Sequence, residues 1–83
     1  MSEGLLGAAV VTGGASGIGT EVVRRLAAAG VRVGVLDRNA EGAQALADEV
    51  GGLALVADVA DSAALDEALR TAHRELGGLR HLV

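Results

Sequence analysis

A chain of 83 residues has room for one small domain, and with no Phe, Tyr or Trp its core must be assembled from Leu, Val, Ile and Ala. A net charge of −4, from 11 acidic and 7 basic residues, offers no basic surface for nucleic acid, and the absence of cysteine excludes disulfides, thiolate metal sites and cysteine nucleophiles. The start, Met1-Ser2-Glu3-Gly4, has no basic stretch and leads into only about seven apolar residues, which predicts neither a secretory leader nor a membrane span and points to a cytoplasmic protein.

In chain order, the apolar run Leu6 to Val11 predicts a first strand. It passes directly into Thr12-Gly13-Gly14-Ala15-Ser16-Gly17-Ile18-Gly19, after which a helix is predicted from Ile18 to Ala29. Ile18, Val22 and Leu26 form its apolar stripe, and Gly30 stops it. Val31 to Leu36 is Val-rich and alternates little, as a strand buried on both faces does, and it ends at Asp37-Arg38-Asn39. Asn39 is placed to cap a second helix, Ala40 to Val50, with Ala43, Leu46, Ala47 and Val50 inward and Gly51-Gly52 as its breaker. Leu53 to Ala57 is the third strand. Asp61 or Ser62 then caps a third helix whose stripe is Leu65, Ala68, Leu69, Ala72 and Leu76, with Asp66 and Arg70 paired on the wet face. Gly77-Gly78 ends it, and Leu79 to Val83 begins a fourth strand.

The order βαβαβαβ predicts an α/β fold, a Rossmann-like doubly wound parallel sheet. If the fourth strand lies beside the first, the first two helices cover one face of the sheet and the third covers the other. No linker, repeat or low-complexity stretch precedes Val83, so residues 1–83 are expected to be the N-terminal part of a single nucleotide-binding domain, interrupted in its fourth strand.

A strand, a glycine turn and a helix N-terminus together make a phosphate cradle. Free backbone N–H groups and the positive end of the helix dipole face any anion above the turn, and glycines let it come close. Asp37 follows the second strand, where a carboxylate accepts hydrogen bonds from ribose hydroxyls and repels a 2′-phosphate. Its plain structural alternative is a turn residue that caps the next helix. Arg38 is suited either to pairing with a 2′-phosphate or to a solvated loop position near adenine.

The turn spacing, Gly13-x-x-x-Gly17-x-Gly19, departs from G-x-G-x-x-G and resembles the T-G-x-x-x-G-I-G turn of the short-chain dehydrogenase/reductase family. Asp37, Asp58-Val59 and Leu82-Val83 extend the resemblance over essentially the whole chain, closest in look to the NAD-linked 3-hydroxyacyl-CoA and hydroxysteroid dehydrogenase branch. The resemblance implies that Gly13, Ser16, Gly17, Ile18 and Gly19 hold the cofactor with Asp37 and Arg38. It further implies that the Asp58 carboxylate takes the adenine amine and the Val59 backbone a ring nitrogen; a local strand-end cap is the alternative for Asp58. Relatives that prefer NADP often carry Arg or Lys where this chain has the neutral Ser16, so NAD is the expected cofactor, with NADP second.

The family's catalytic groups are a Ser, a Tyr and a Lys, and this chain contains no Tyr and no Lys. No catalytic residue is therefore assigned, and the chain alone is expected to turn nothing over. The resemblance implies a parent enzyme that interconverts a secondary alcohol and a ketone, a small-molecule substrate, with NAD(H) and assembles as a homodimer or homotetramer. Arg80 stands where relatives often have Asp. His73 reads as a solvated helix residue and His81 as a strand residue of undecided direction, and neither has a neighbouring second ligand, so no metal site is expected. Two other readings share these features. One is a non-catalytic nucleotide-binding module. The other is an adenosylmethionine-dependent methyltransferase, which also has acidic residues after the second and third strands but usually places an acidic residue, not a Thr12, before its glycine turn.

Overall fold

The computed structural model describes residues 7–77 and the backbone of His81–Leu82. Three strands and three helices alternate as β1 (Ala8–Thr12), α1 (Gly17–Ala28), β2 (Arg32–Asp37), α2 (Ala40–Val50), β3 (Leu53–Val56) and α3 (Ser62–Leu76), and β4 (His81–Leu82) follows. The strands form one sheet in the order β3-β2-β1-β4. Every pair is parallel, with Ala9 opposite Val33 and His81, and Gly34 opposite Leu53. The order steps outward from β1 to β3 and then returns to the other side of β1. This is the Rossmann-like doubly wound arrangement, with its switch point between β1 and β4.

That topology divides the core in two. On one face Val11, Val33 and Val35 meet Val23 of α1 and Ala43, Leu46 and Ala47 of α2. On the other, Ala8, Val10, Leu36 and Leu55 meet Ala68, Ala72 and Leu76 of α3, with Leu65 and Leu69 packed at its margin. The sheet needs apolar side chains on both sides, which is why β1 and β2 read as continuous apolar runs rather than alternating ones. Leu36 is the largest side chain that is fully buried. Truncating such a leucine costs about 2–5 kcal/mol.

The helix ends follow their capping residues. Asn39 Oδ1 accepts the Gly42 N–H at 3.1 Å and Asp61 Oδ1 accepts the Ala64 N–H at 3.1 Å, so Asp61 rather than Ser62 is the cap of α3. Arg24 donates twice to Glu49, from Nε at 2.7 Å and Nη2 at 3.0 Å, tying α1 to α2 across the solvent side. This tie holds the Glu49 carboxyl below the usual carboxylate range, first through the hydrogen bond and also through the nearby charge. Arg70 pairs with Asp66 at 2.7 Å on the wet face of α3.

One expectation fails. Ile18 does not belong to the buried stripe of α1: it is 84% exposed. The buried positions are Gly19 and Val23, with Val22, Leu26 and Ala27 at the edge of the core. The first turn of α1 overhangs the strand ends, and the helix comes closest to the protein at Gly19, where a Cβ would collide with the Gly13 carbonyl oxygen. A glycine makes the tightest contact, so the inward face cannot be found by counting apolar residues. Of the segments anticipated around the fourth strand, Leu6, Gly78, Leu79, Arg80 and Val83 lie outside the described residues, as do the side chains of His81 and Leu82.

Candidate functional site

Because the strands are parallel, β1, β2 and β3 deliver their C-terminal ends to one edge of the sheet, the edge where open α/β sheets bind ligands. Gly13 leaves β1 with φ +65°, a left-handed conformation that favours glycine. The chain then doubles back, with the Ser16 N–H on the Gly13 carbonyl at 3.0 Å. Ser16 caps α1: its Oγ donates to the same carbonyl at 2.7 Å and accepts the Gly19 N–H at 3.4 Å. Thr20 Oγ1 donates to the Gly14 carbonyl at 3.1 Å, closing the turn from the helix side.

This arrangement leaves the Gly17 and Ile18 N–H groups without a protein acceptor among the described residues. A Cβ on Gly17 would meet nothing within 4 Å. Two donors at a helix N-terminus, opening onto clear space above a residue with no side chain, fit an anionic group such as a diphosphate.

Beside the turn, Asp37 ends β2. Its Oδ2 accepts the Ala15 N–H at 3.0 Å and its Oδ1 accepts the Asn39 N–H at 2.9 Å. Each oxygen retains a lone pair for a further donor. At the end of β3, Asp58 Oδ1 accepts the Ala60 N–H at 2.9 Å, and Val59 is 52% exposed. Gly13, Leu36, Asp37, Arg38, Ala57, Asp58 and Val59 line a cavity of about 240 Å³. Arg38 is exposed and makes no ion pair among the described residues.

The nine residues singled out in the sequence thus fall into two adjoining groups. Gly13, Asp37, Arg38, Asp58 and Val59 surround the cavity, whereas Ser16, Gly17, Ile18 and Gly19 form the helix N-terminus next to it. Sequence reasoning missed Leu36 and Ala57 as cavity walls and Thr20 as a turn support. The walls were readable as the last apolar positions before each strand-end Asp; the Thr20 bond has no signal in the sequence, because a hydroxyl one turn into a helix has several acceptors within reach.

The family model for short chain dehydrogenases matches residues 7–83. D-threitol dehydrogenase of Mycolicibacterium smegmatis is 41% identical over 80 residues, 90% of this chain and 31% of that protein. Among solved structures, 3-ketoacyl-(acyl-carrier-protein) reductase from Brucella melitensis complexed with NADH superposes with a TM-score of 0.88 at 33% identity, over 92% of this chain and 32% of that one. The 3-hydroxyacyl-CoA dehydrogenase type-2 from Mycobacterium avium gives 0.86 at 36% identity, over 99% and 33%. The chain belongs to the short-chain dehydrogenase family, and it spans about a third of the length of these relatives. Membership in an oxidoreductase family disfavours the methyltransferase reading.

Proposed function

We propose that this chain is the NAD(H)-holding part of an oxidoreductase that interconverts a secondary alcohol and a ketone. The observation that carries the reading is the Asp37 carboxylate at the cavity wall beside Gly13, next to the open N-terminus of α1. The diphosphate lies over Gly17 and takes the Gly17 and Ile18 N–H groups. Asp37 accepts the ribose hydroxyls with its remaining lone pairs and disfavours a 2′-phosphate by charge. Asp58 and the Val59 backbone hold the adenine between the ends of β2 and β3. Bound there, a nicotinamide cofactor supplies the hydride acceptor or donor.

The proton that accompanies hydride transfer needs a group of suitable pKa, and this chain has neither Tyr nor Lys to provide it. Residues 1–83 are accordingly read as the first part of one nucleotide-binding domain, whose parent acts on a small-molecule substrate, assembles as a homo-oligomer and works in the cytoplasm. The NADH complex of the Brucella reductase and the dehydrogenase and reductase activities named for the relatives support a nicotinamide cofactor and alcohol–ketone chemistry. Among the described residues no helix is long and apolar enough to cross a membrane.

The test is a calorimetric titration of the purified chain with NAD and with NADP. NAD binds more tightly, and Asp37→Ala narrows the gap by about tenfold, or roughly 1.4 kcal/mol. Tighter binding of NADP by the unaltered chain assigns the deciding role to Arg38 and overturns the reading of Asp37. Nicotinamide-linked turnover by the chain alone would overturn its description as a binding part.

A further inference from the structure

Asp37 joins three segments that are also tied by the Gly14 N–H on the Leu36 carbonyl at 3.2 Å and by the β2–β3 ladder. Its Oδ2 holds the Ala15 N–H of the glycine turn at 3.0 Å, its Oδ1 holds the Asn39 N–H of the β2–α2 loop at 2.9 Å, and its backbone carbonyl accepts the Ala57 N–H at the exit of β3 at 3.2 Å. Ala15 is seated from the other side as well. A Cβ added to Gly42, in the first turn of α2, would lie 3.0 Å from the Ala15 methyl, so that helix closes over the turn.

We infer that Asp37 is a positioning residue for the diphosphate site: by holding the Ala15 N–H it fixes the glycine turn in the shape that presents the Gly17 and Ile18 N–H groups. This rests on the strand ends being a nucleotide site, but it is separate from any contact between Asp37 and ribose. Both backbone bonds use one lone pair of each oxygen, so a ligand arriving at the other lone pairs finds the turn already formed and leaves it undisturbed.

Charge and positioning make opposite predictions for a ligand that offers Asp37 no hydroxyl. Removing a carboxylate near a diphosphate lowers repulsion and strengthens binding; loosening the turn weakens it. The probe is 2′,3′-dideoxyadenosine diphosphate, titrated calorimetrically into the 83-residue chain and its Asp37→Ala variant. The variant is expected to bind about fivefold more weakly or worse, with Asp37→Asn, which keeps one acceptor oxygen, intermediate. In the unaltered chain, the Ala15 and Asn39 amide hydrogens, held by the carboxylate, should exchange with solvent more slowly than those of Gly17 and Ile18, which have no protein acceptor among the described residues.

If the unaltered chain binds NAD but Asp37→Ala binds the dideoxy probe as well or better, the positioning role is overturned and the ribose reading stands. If the unaltered chain binds neither, the nucleotide site itself falls, and the positioning role with it. An Ala15 amide that exchanges as fast as those of Gly17 and Ile18 overturns the positioning role even where Asp37→Ala does not fold.

Discussion

Gly17 and Gly19 are two positions apart, yet the structure predicts opposite failures for them. A Cβ at Gly17 meets nothing within 4 Å, whereas one at Gly19 strikes the Gly13 carbonyl oxygen and crowds Gly14 Cα at 3.0 Å. Gly17→Ala should therefore keep or raise stability, by up to about 1 kcal/mol, through loss of freedom in the unfolded chain. In the proposed site its methyl group would fill the space above the turn where the diphosphate is placed, so NAD affinity should drop by about tenfold or more, a loss of roughly 1.4 kcal/mol. Gly19→Ala should lose both, with destabilisation of about 1–3 kcal/mol from overpacking. Thermal melts paired with NAD titrations separate the two, and equal destabilisation by both substitutions would contradict the geometry. At this scale the sequence carried half of the story. It marked both glycines as functional, and the structure separates them: Gly17 faces open space, whereas Gly19 is pressed against the Gly13 carbonyl.

At the level of elements, the α2 boundaries coincide with the predicted ones, those of α1, β2 and β3 differ by at most a residue, and β1 starts two residues later than predicted, at Ala8; the agreement is close because each helix end has a local cause. Asn39 and Asp61 cap, and Gly51 and Gly77 terminate. The sheet order was legible too, since a fourth strand beside β1 sends α3 to the opposite face, and the two separate cores show that it does. The inward face of α1 was not legible, as Ile18 shows, because its nearest approach is made by a glycine. Nor was the Arg24–Glu49 tie, which joins residues 25 positions apart and depends on how α1 and α2 lie side by side. That pair has a pH signature. Arg24 depresses the Glu49 carboxyl, so its stabilisation is complete above the unfolded-state value of about 4.3 and is lost as pH falls through and below it. Glu49→Gln should lower the melting temperature at pH 7, and by progressively less as the pH falls below the unfolded-state value, relative to the unaltered chain. A difference that persists in acid would mean that Glu49 acts by packing instead.

For the whole molecule, a core of Leu, Val and Ala with no aromatic ring leaves a small margin, of order 4–12 kcal/mol for a chain this long. Ligand linkage then becomes a large fraction of the total. NAD at a hundred times its dissociation constant should add about 2.7 kcal/mol, and for a domain of this size that corresponds to roughly 10–20 °C in melting temperature. Calorimetric scans with NAD, and with inorganic phosphate as a control for plain anion binding, check this; equal shifts by the two would reduce the site to a generic anion cradle.

The placement of β4 against β1 also governs the order of assembly. The pairs β1–β2 and β2–β3 each join neighbours in the chain, whereas Ala9 with His81 and Val10 with Leu82 bring its opposite ends together across everything in between. Closing that longest loop carries the largest entropic penalty and is rewarded, among the described residues, by a ladder of only two residue pairs. The three-stranded unit β1–β2–β3 with α1 and α2 should form first and open last, and β4 should dock late and exchange its amide hydrogens soonest. During that interval β1 is the outer edge of the three-stranded unit, its backbone N–H and C=O groups on that side still awaiting a partner strand.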